Sequence, residues 1–309
     1  MKSFFKYFCL YLIVFVPLTI QAKLIDQVIF RPSGNSNNEL WMTDIWDTQN
    51  AYRIYKHSHI IWDFAVQKDG QYIIFNGGHG LDVFEDNVYL FDRFQPDKEV
   101  INLTHRGFEV IWDLDISING DIIFTNLPAG DNPFPKIGIF LIPHSEIHKG
   151  IPNIKLVNRT SASEVVWAPD GEQIAYINRE GVFTYDIATR QFKHVSNFAI
   201  SLSYSPDGRE LAYRTHQDIL ISSLNNPQNR KIITTKDRNV SGNIKWSPDR
   251  KYIFYRTAKK NYAAPVNGGA HIEIFIEFDR GVSFDWTNSV NLSVEPKDKL
   301  ATLWGKLKQ

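Results

Sequence analysis

Five stretches of this sequence repeat one short pattern, and that repetition limits the fold more than any other feature. In Val165-Val166-Trp167-Ala168-Pro169-Asp170-Gly171 an apolar run leads through a large aromatic into a turn, and Gln173-Ile174-Ala175-Tyr176 opens a second β run. Pro fixes φ, Asp can bond the backbone two residues on, and Gly accepts a positive φ. The unit therefore reads as a β-hairpin. Ser203–Tyr213 and Lys245–Tyr255 are near copies, with Arg250 in place of the glycine in the second. Ala65–Phe75 and Asp115–Phe124 are weaker copies. The anchors Val66, Ile116, Trp167, Tyr204 and Trp246 are 50, 51, 37 and 42 residues apart. A period of that length with strand content signals a propeller blade or a similar array.

Each hairpin is followed by two more short β runs, such as Val182–Ile187 and Gln191–Val195 in the fourth unit. Four antiparallel strands make one blade. The first unit, with runs at Gln27–Phe30, Glu39–Met42 and Tyr52–Tyr55, lacks its first strand. Val282–Trp286 follows a complete sixth unit and is similar to Ile61-Trp62-Asp63-Phe64 and Ile111-Trp112-Asp113-Leu114. The expected fold is an all-β, six-bladed β-propeller with four antiparallel strands per blade. A C-terminal strand completes blade one and closes the ring, which removes free sheet edges. The propeller spans 23–291, with blades at 23–57, 58–106, 107–161, 162–197, 198–237 and 238–281, a closing strand at 282–288 and a tail at 292–309.

The first 22 residues have a different character. Lys2 and Lys6 begin the chain, Phe8–Pro17 is apolar and uncharged, and Thr19-Ile20-Gln21-Ala22 offers a cleavage site after Ala22. That is the pattern of a signal peptide. The apolar run is short for a bilayer span, so cleavage and no stable membrane insertion are expected. Cys9 lacks the preceding small residue of a lipoprotein site. Cleavage would remove two lysines, so Lys+Arg falls from 34 to 32 against 34 Asp+Glu, a net charge of −2. That balance excludes a nucleic-acid-binding profile. Cys9 is the one cysteine, so the mature chain folds without disulfides. It is expected to be a monomer.

The Trp/Tyr-Ser/Ala-Pro-Asp-Gly pattern followed by Ile/Leu-Ala-Tyr is clear in units four to six and degenerate in two and three. It resembles the WD40-like (PD40) repeat of TolB-type six-bladed propellers. The extra N-terminal α/β domain of TolB has no counterpart in this chain. The resemblance implies an exported bacterial protein, periplasmic or extracellular. Propeller peptidases of the prolyl-oligopeptidase type carry similar repeats joined to a hydrolase domain. This chain has no room for one, and it has no Gly-x-Ser-x-Gly elbow. The fold itself leaves the function open.

In such a ring the Pro-Asp-Gly turns lie on one face, and the second-to-third loops and blade-to-blade links lie on the other. The loops Arg31–Asn38, Asn76–Asn87 and Asn126–Lys136 are long, which points to binding on the loop face. The position seven residues before the turn glycine falls near that face on the innermost strand. It holds Asp63, Asp113, Glu164, Ser201 and Asn243, and similarity to the Trp-Asp strands adds Asp285. A ring of oxygen ligands of this kind suits Ca²⁺ or an amine. The same residues could instead cap neighbouring backbone groups, an ordinary role at this place. A second set, Arg31, Arg214 and Arg256, follows the aromatic at the end of a second strand in neighbouring blades. It could form a patch for a carboxylate or an acidic peptide segment, with His57 and His59 beside it. The bland alternative is three solvated or salt-bridged arginines.

The expected function is a non-enzymatic, exported binding or scaffold module that presents its loop face to a protein, peptide or glycan. The alternative is a propeller enzyme, a lyase or lactonase, that uses a cation at the channel mouth.

Overall fold

A computed structural model of the chain describes residues 26–32, 38–78, 86–105, 108–127, 136–235, 240–257, 260–274 and 284–288. The signal peptide and the tail expected at 1–22 and 292–309 lie outside them. The described residues form six four-stranded antiparallel sheets, as the repeat spacing predicts. Blade two runs Ile60–Val66, Tyr72–Gly78, Asn87–Asp92, Ile101–Asn102. Blade three runs Val110–Ile116, Ile122–Leu127, Gly138–Ile142, Lys155–Asn158. Blade four runs Glu164–Trp167, Gln173–Asn178, Gly181–Asp186, Phe192–Ser196. Blade five runs Ser201–Tyr204, Glu210–Arg214, Asp218–Ser223, Arg230–Thr234. Blade six runs Val240–Trp246, Tyr252–Thr257, Asn261–Pro265, Ile272–Ile274.

Blade one is assembled from both ends of the chain: Phe284–Asn288 pairs with Asp26–Phe30, followed by Glu39–Asp44 and Asp47–Lys56. First strands of neighbouring blades pack on one another and line the central channel. The apolar side chains form six clusters, one at each seam between blades, rather than one central core. This explains why the inner strands Glu164–Trp167 and Ser201–Tyr204 are buried at every position. Both faces of such a strand meet protein, so alternation between apolar and polar residues is lost.

The turns match one another closely. The backbone N–H at Gly70, Gly120, Gly171, Gly208 and Arg250 donates to the carbonyl three residues earlier at 2.7–3.0 Å. All five have positive φ, 62° at Arg250. A non-glycine residue is strained there. Arg250 is held by ion pairs to Asp207 and to Glu210, the latter at 2.8 Å, both in the preceding blade.

The closing strand sits in a register that differs from the one its Trp-Asp similarity implies. Trp286 pairs with Val28 as Trp167 pairs with Ile174 and Trp246 with Ile253. Trp286 is therefore the aromatic anchor of blade one, and Asp285 is the counterpart of Asp115, not of Asp63 and Asp113. Phe284-Asp285-Trp286 has the aromatic-Asp-apolar order of Trp62-Asp63-Phe64 and Trp112-Asp113-Leu114 but stands two residues further along its strand. Trp62 and Trp112 are the extra residues of a β-bulge, between Ile61 and Asp63 and between Ile111 and Asp113. A bulge puts two residues opposite one and shifts everything beyond it.

Candidate functional site

The inner strands are joined by side chains that cap the backbone of the next blade. Asp113 Oδ2 accepts from Val165 N at 2.6 Å, Glu164 Oε1 accepts from Leu202 N at 2.8 Å, and Ser201 Oγ accepts from Ile244 N at 3.1 Å. Ser201 Oγ also donates to Glu164 Oε1 at 2.9 Å. A second tier lies two residues along each strand. Asp115 Oδ2 accepts from Trp167 N, Ser203 Oγ from Trp246 N, and Asp285 Oδ2 from Val66 N, at 2.7, 3.0 and 2.9 Å. Asp285 thus belongs to this deeper tier. Facing it across the ring closure is Lys245, its Nζ 3.5 Å from Asp285 Oδ1.

The residue after the second-strand aromatic has a similar role. Arg31 Nη1 donates to Ile61 O of blade two, and Asn76 Nδ2 donates to Ile111 O of blade three at 2.6 Å. Arg214 Nε and Nη1 donate to Gly242 O and Val240 O of blade six at 2.6 and 3.1 Å. Arg31 and Arg214 are buried, and each ties one blade to the next. Arg256 is half-buried, in register with Ser241 and Asn261. Replacing Arg214 with alanine strands two carbonyls and is expected to destabilise the protein by about 2–4 kcal/mol in urea unfolding. Lysine should restore little, because an ammonium cannot match the fork that spans both carbonyls.

His57 and His59 lie in the link between blades one and two. His57 Nδ1 is 2.9 Å from Tyr55 Oη, and its ring packs against Phe75 and Tyr89 at 5.0 and 4.7 Å. His59 Nδ1 is 2.9 Å from Ser58 Oγ. These contacts place His57 in the seam between the two blades.

The loop-face mouth of the channel opens into a cavity of about 720 Å³. Asp63, Asp113, Glu164, Asn243 and Arg214 all line it. So do three residues that the repeat alignment does not single out: Trp62, Trp112 and Asp86. The two indoles are 42% and 57% exposed. Both occupy the bulge position, which turns them out of the seam where the anchor aromatics lie. Their signal in the sequence is a Trp-Asp pair placed before the repeat anchor in two adjacent units. Asp86 carries no such signal. It belongs to a long loop, and only the fold brings its Oδ2 within 3.2 Å of Ile111 N.

The carboxyls at this mouth are hard to ionise. Burial raises Glu164 to about 7, opposed by hydrogen bonds from Leu202 and Ser201 and by the charges of Lys245 and Arg214. Burial likewise raises Asp86 to about 6. Asp113 is held well above the usual range, first by burial and then by the charges of Asp63 and Glu164 and a hydrogen bond shared with Asp63. Among the described residues no group of three or more His, Cys, Asp or Glu is arranged to hold a metal ion.

No protein-family model matches the chain, and no curated protein does. Solved structures match its fold. TolB from Acinetobacter baumannii aligns with a TM-score of 0.66 and 16% identity over 85% of this chain and 67% of that one. A chain of a nidogen/laminin complex aligns at 0.65 and 9% identity, over 84% and 97%. A putative TolB from Agrobacterium tumefaciens aligns at 0.59 and 15% identity, over 84% and 97%. The chain therefore has a TolB-like six-bladed propeller fold.

Proposed function

We propose that this protein is an exported binding module that receives a segment of a protein partner in the loop-face cavity. One observation carries the reading: the cavity of about 720 Å³ is walled by Trp62 and Trp112, both substantially exposed. Large aromatics left open at a concave site are the usual anchors of protein recognition. A similar propeller fold occurs in a protein complex, that of nidogen and laminin. Export rests on the basic, apolar and small-residue pattern of residues 1–22; among the described residues no helix is long and apolar enough to cross a membrane.

The enzyme alternative has less support. Asp113, Glu164 and Asp285 each give one oxygen to a backbone N–H, of Val165, Leu202 and Val66, which leaves few for a cation that takes about six to eight, and Lys245 supplies positive charge beside Asp285.

A photo-crosslinking residue in place of Trp112, used in envelope extract, tests the reading. A specific protein adduct is expected there, and none from the same residue in place of Ile232, which is exposed on an outer strand. Equal labelling at both positions, or none at Trp112, would overturn the proposal.

A further inference from the structure

We infer that the segment received in the cavity inserts a lysine or arginine side chain, its apolar stem on Trp62 and Trp112 and its cationic head on the carboxyls of Asp86 and Glu164. This rests on the binding-module reading above and adds the chemistry of the ligand.

Two independent features of the cavity point the same way. The first is aromatic. Trp62 and Trp112 occupy equivalent bulge positions in adjacent blades, and both are open to the cavity mouth. Indole faces attract cations as well as the methylene stem of a long basic side chain.

The second feature is charge. Among the described residues Asp63, Asp86, Asp113 and Glu164 line the cavity against one basic lining residue, Arg214. Arg214 directs Nε and Nη1 at the carbonyls of Gly242 and Val240. The backbone uses a single oxygen on each of three carboxyls: Oδ2 of Asp86, Oδ2 of Asp113 and Oε1 of Glu164. Those bonds leave a second oxygen on Asp86 and on Glu164 for a further donor.

The other ligand chemistries fit worse. An acidic segment would add like charge to a site already in excess of it. A neutral segment or a sugar would use the indoles and leave the carboxyls without a counter-charge. A calcium ion would use carboxyl oxygens and leave the indoles bare. A basic side chain uses both features, through charge-assisted hydrogen bonds and cation–π contact. The carboxyls' reluctance to ionise agrees with this. Asp113 from blade three, and Arg214 and Lys245 from blades five and six, face Glu164. Burial raises its pKa to about 7 against the hydrogen bonds from Leu202 and Ser201 and the charges of Lys245 and Arg214, and an arriving cation would favour the ionised form.

Panning a phage-displayed random peptide library on the full chain tests the inference. The selected sequences are expected to share a lysine or arginine. Synthetic peptides should weaken tenfold or more when that residue becomes norleucine, and similarly when the protein carries Trp112→Ala or Glu164→Gln. Glu164→Gln keeps the acceptor for Leu202 N, and thermal melts check that each variant is folded. Peptides that need Trp112 but lack a basic residue, or that ignore Glu164→Gln, overturn the cationic ligand and leave the binding module standing. No selected peptide, or peptides indifferent to both Trp62→Ala and Trp112→Ala, overturn both. Displacement of the peptide by millimolar calcium, with a calcium-dependent change in indole fluorescence in its absence, assigns the site to a metal ion instead.

Discussion

Replacing Lys245 with methionine is expected to destabilise the protein by about 3–5 kcal/mol at pH 8 and by far less at pH 5. Lys245 lies on the inner strand of blade six, mostly buried, with Nζ 3.5 Å from Asp285. Burial works against its charge, but Asp285, Asp115, Asp113 and Asp63 together raise its pKa above the ordinary value. It is the positive centre of the channel. Methionine has similar volume, so the variant removes charge with little change in packing, and the carboxylates lose their counter-charge.

The pH dependence follows from linkage. Burial raises Asp115 to about 7, with Lys245 opposing the shift. Glu164 likewise stands at about 7 and Asp86 at about 6. The ordinary values are 3.8 for Asp and 4.5 for Glu. Between those values and the folded ones the native state binds more protons than the unfolded chain, so stability falls as pH rises from about 4 to 7. Lys245 itself stays protonated from pH 5 to pH 8, because its folded pKa lies above the ordinary 10.5, so the pH dependence of the loss comes from the acids it faces. Without it the acids shift further upward, which confines most of the added loss to neutral and alkaline pH. Urea unfolding at the two pH values checks this; equal losses at both would mean that Lys245 acts through packing alone.

The second large effect is expected at the closure of the ring. Trp286→Ala should cost about 3–5 kcal/mol, a large share of the 5–15 kcal/mol typical of a folded domain. Trp286 is buried, its ring 4.7 Å from Phe254 of blade six in an edge-to-face contact, and it packs with Val28 and Phe30 of blade one. Phe284–Asn288 is the strand by which the two ends of the chain meet. Trp167→Ala removes the equivalent anchor between blades three and four, which the chain also joins covalently. Limited proteolysis should therefore cleave the Trp286 variant near blade one well before global unfolding, and the Trp167 variant not. Identical cleavage patterns would show that closure carries no special weight.

Part of the candidate site is legible in the repeat alone. Counting seven residues back from the turn glycine picks out Asp63, Asp113, Glu164 and Asn243, and all four line the cavity. Other parts are not legible there. The three arginines read as a patch because they share a repeat position, yet that position points Arg31 and Arg214 at the neighbouring blade's carbonyls. Asp285 stands two residues further along its strand than its likeness to the Trp-Asp strands implies, because residue types alone do not fix the pairing register. Asp86 and Lys245 act through neighbours far away in the chain, and no local signal marks them.

The hairpin repeat, the number of blades and the closure of blade one by a C-terminal strand all follow from the order of residues. A Pro-Asp-Gly turn between apolar runs specifies its own ladder, and a strand missing at one end matches an extra one at the other. Which acids face the cavity, which cap amides, and where the channel's positive charge sits are fixed by the assembled ring. Those contacts join residues 37, 43, 52 and 219 positions apart. Interactions at such separations depend on how blades stack, and stacking is set by packing at the seams rather than by any pattern within one repeat.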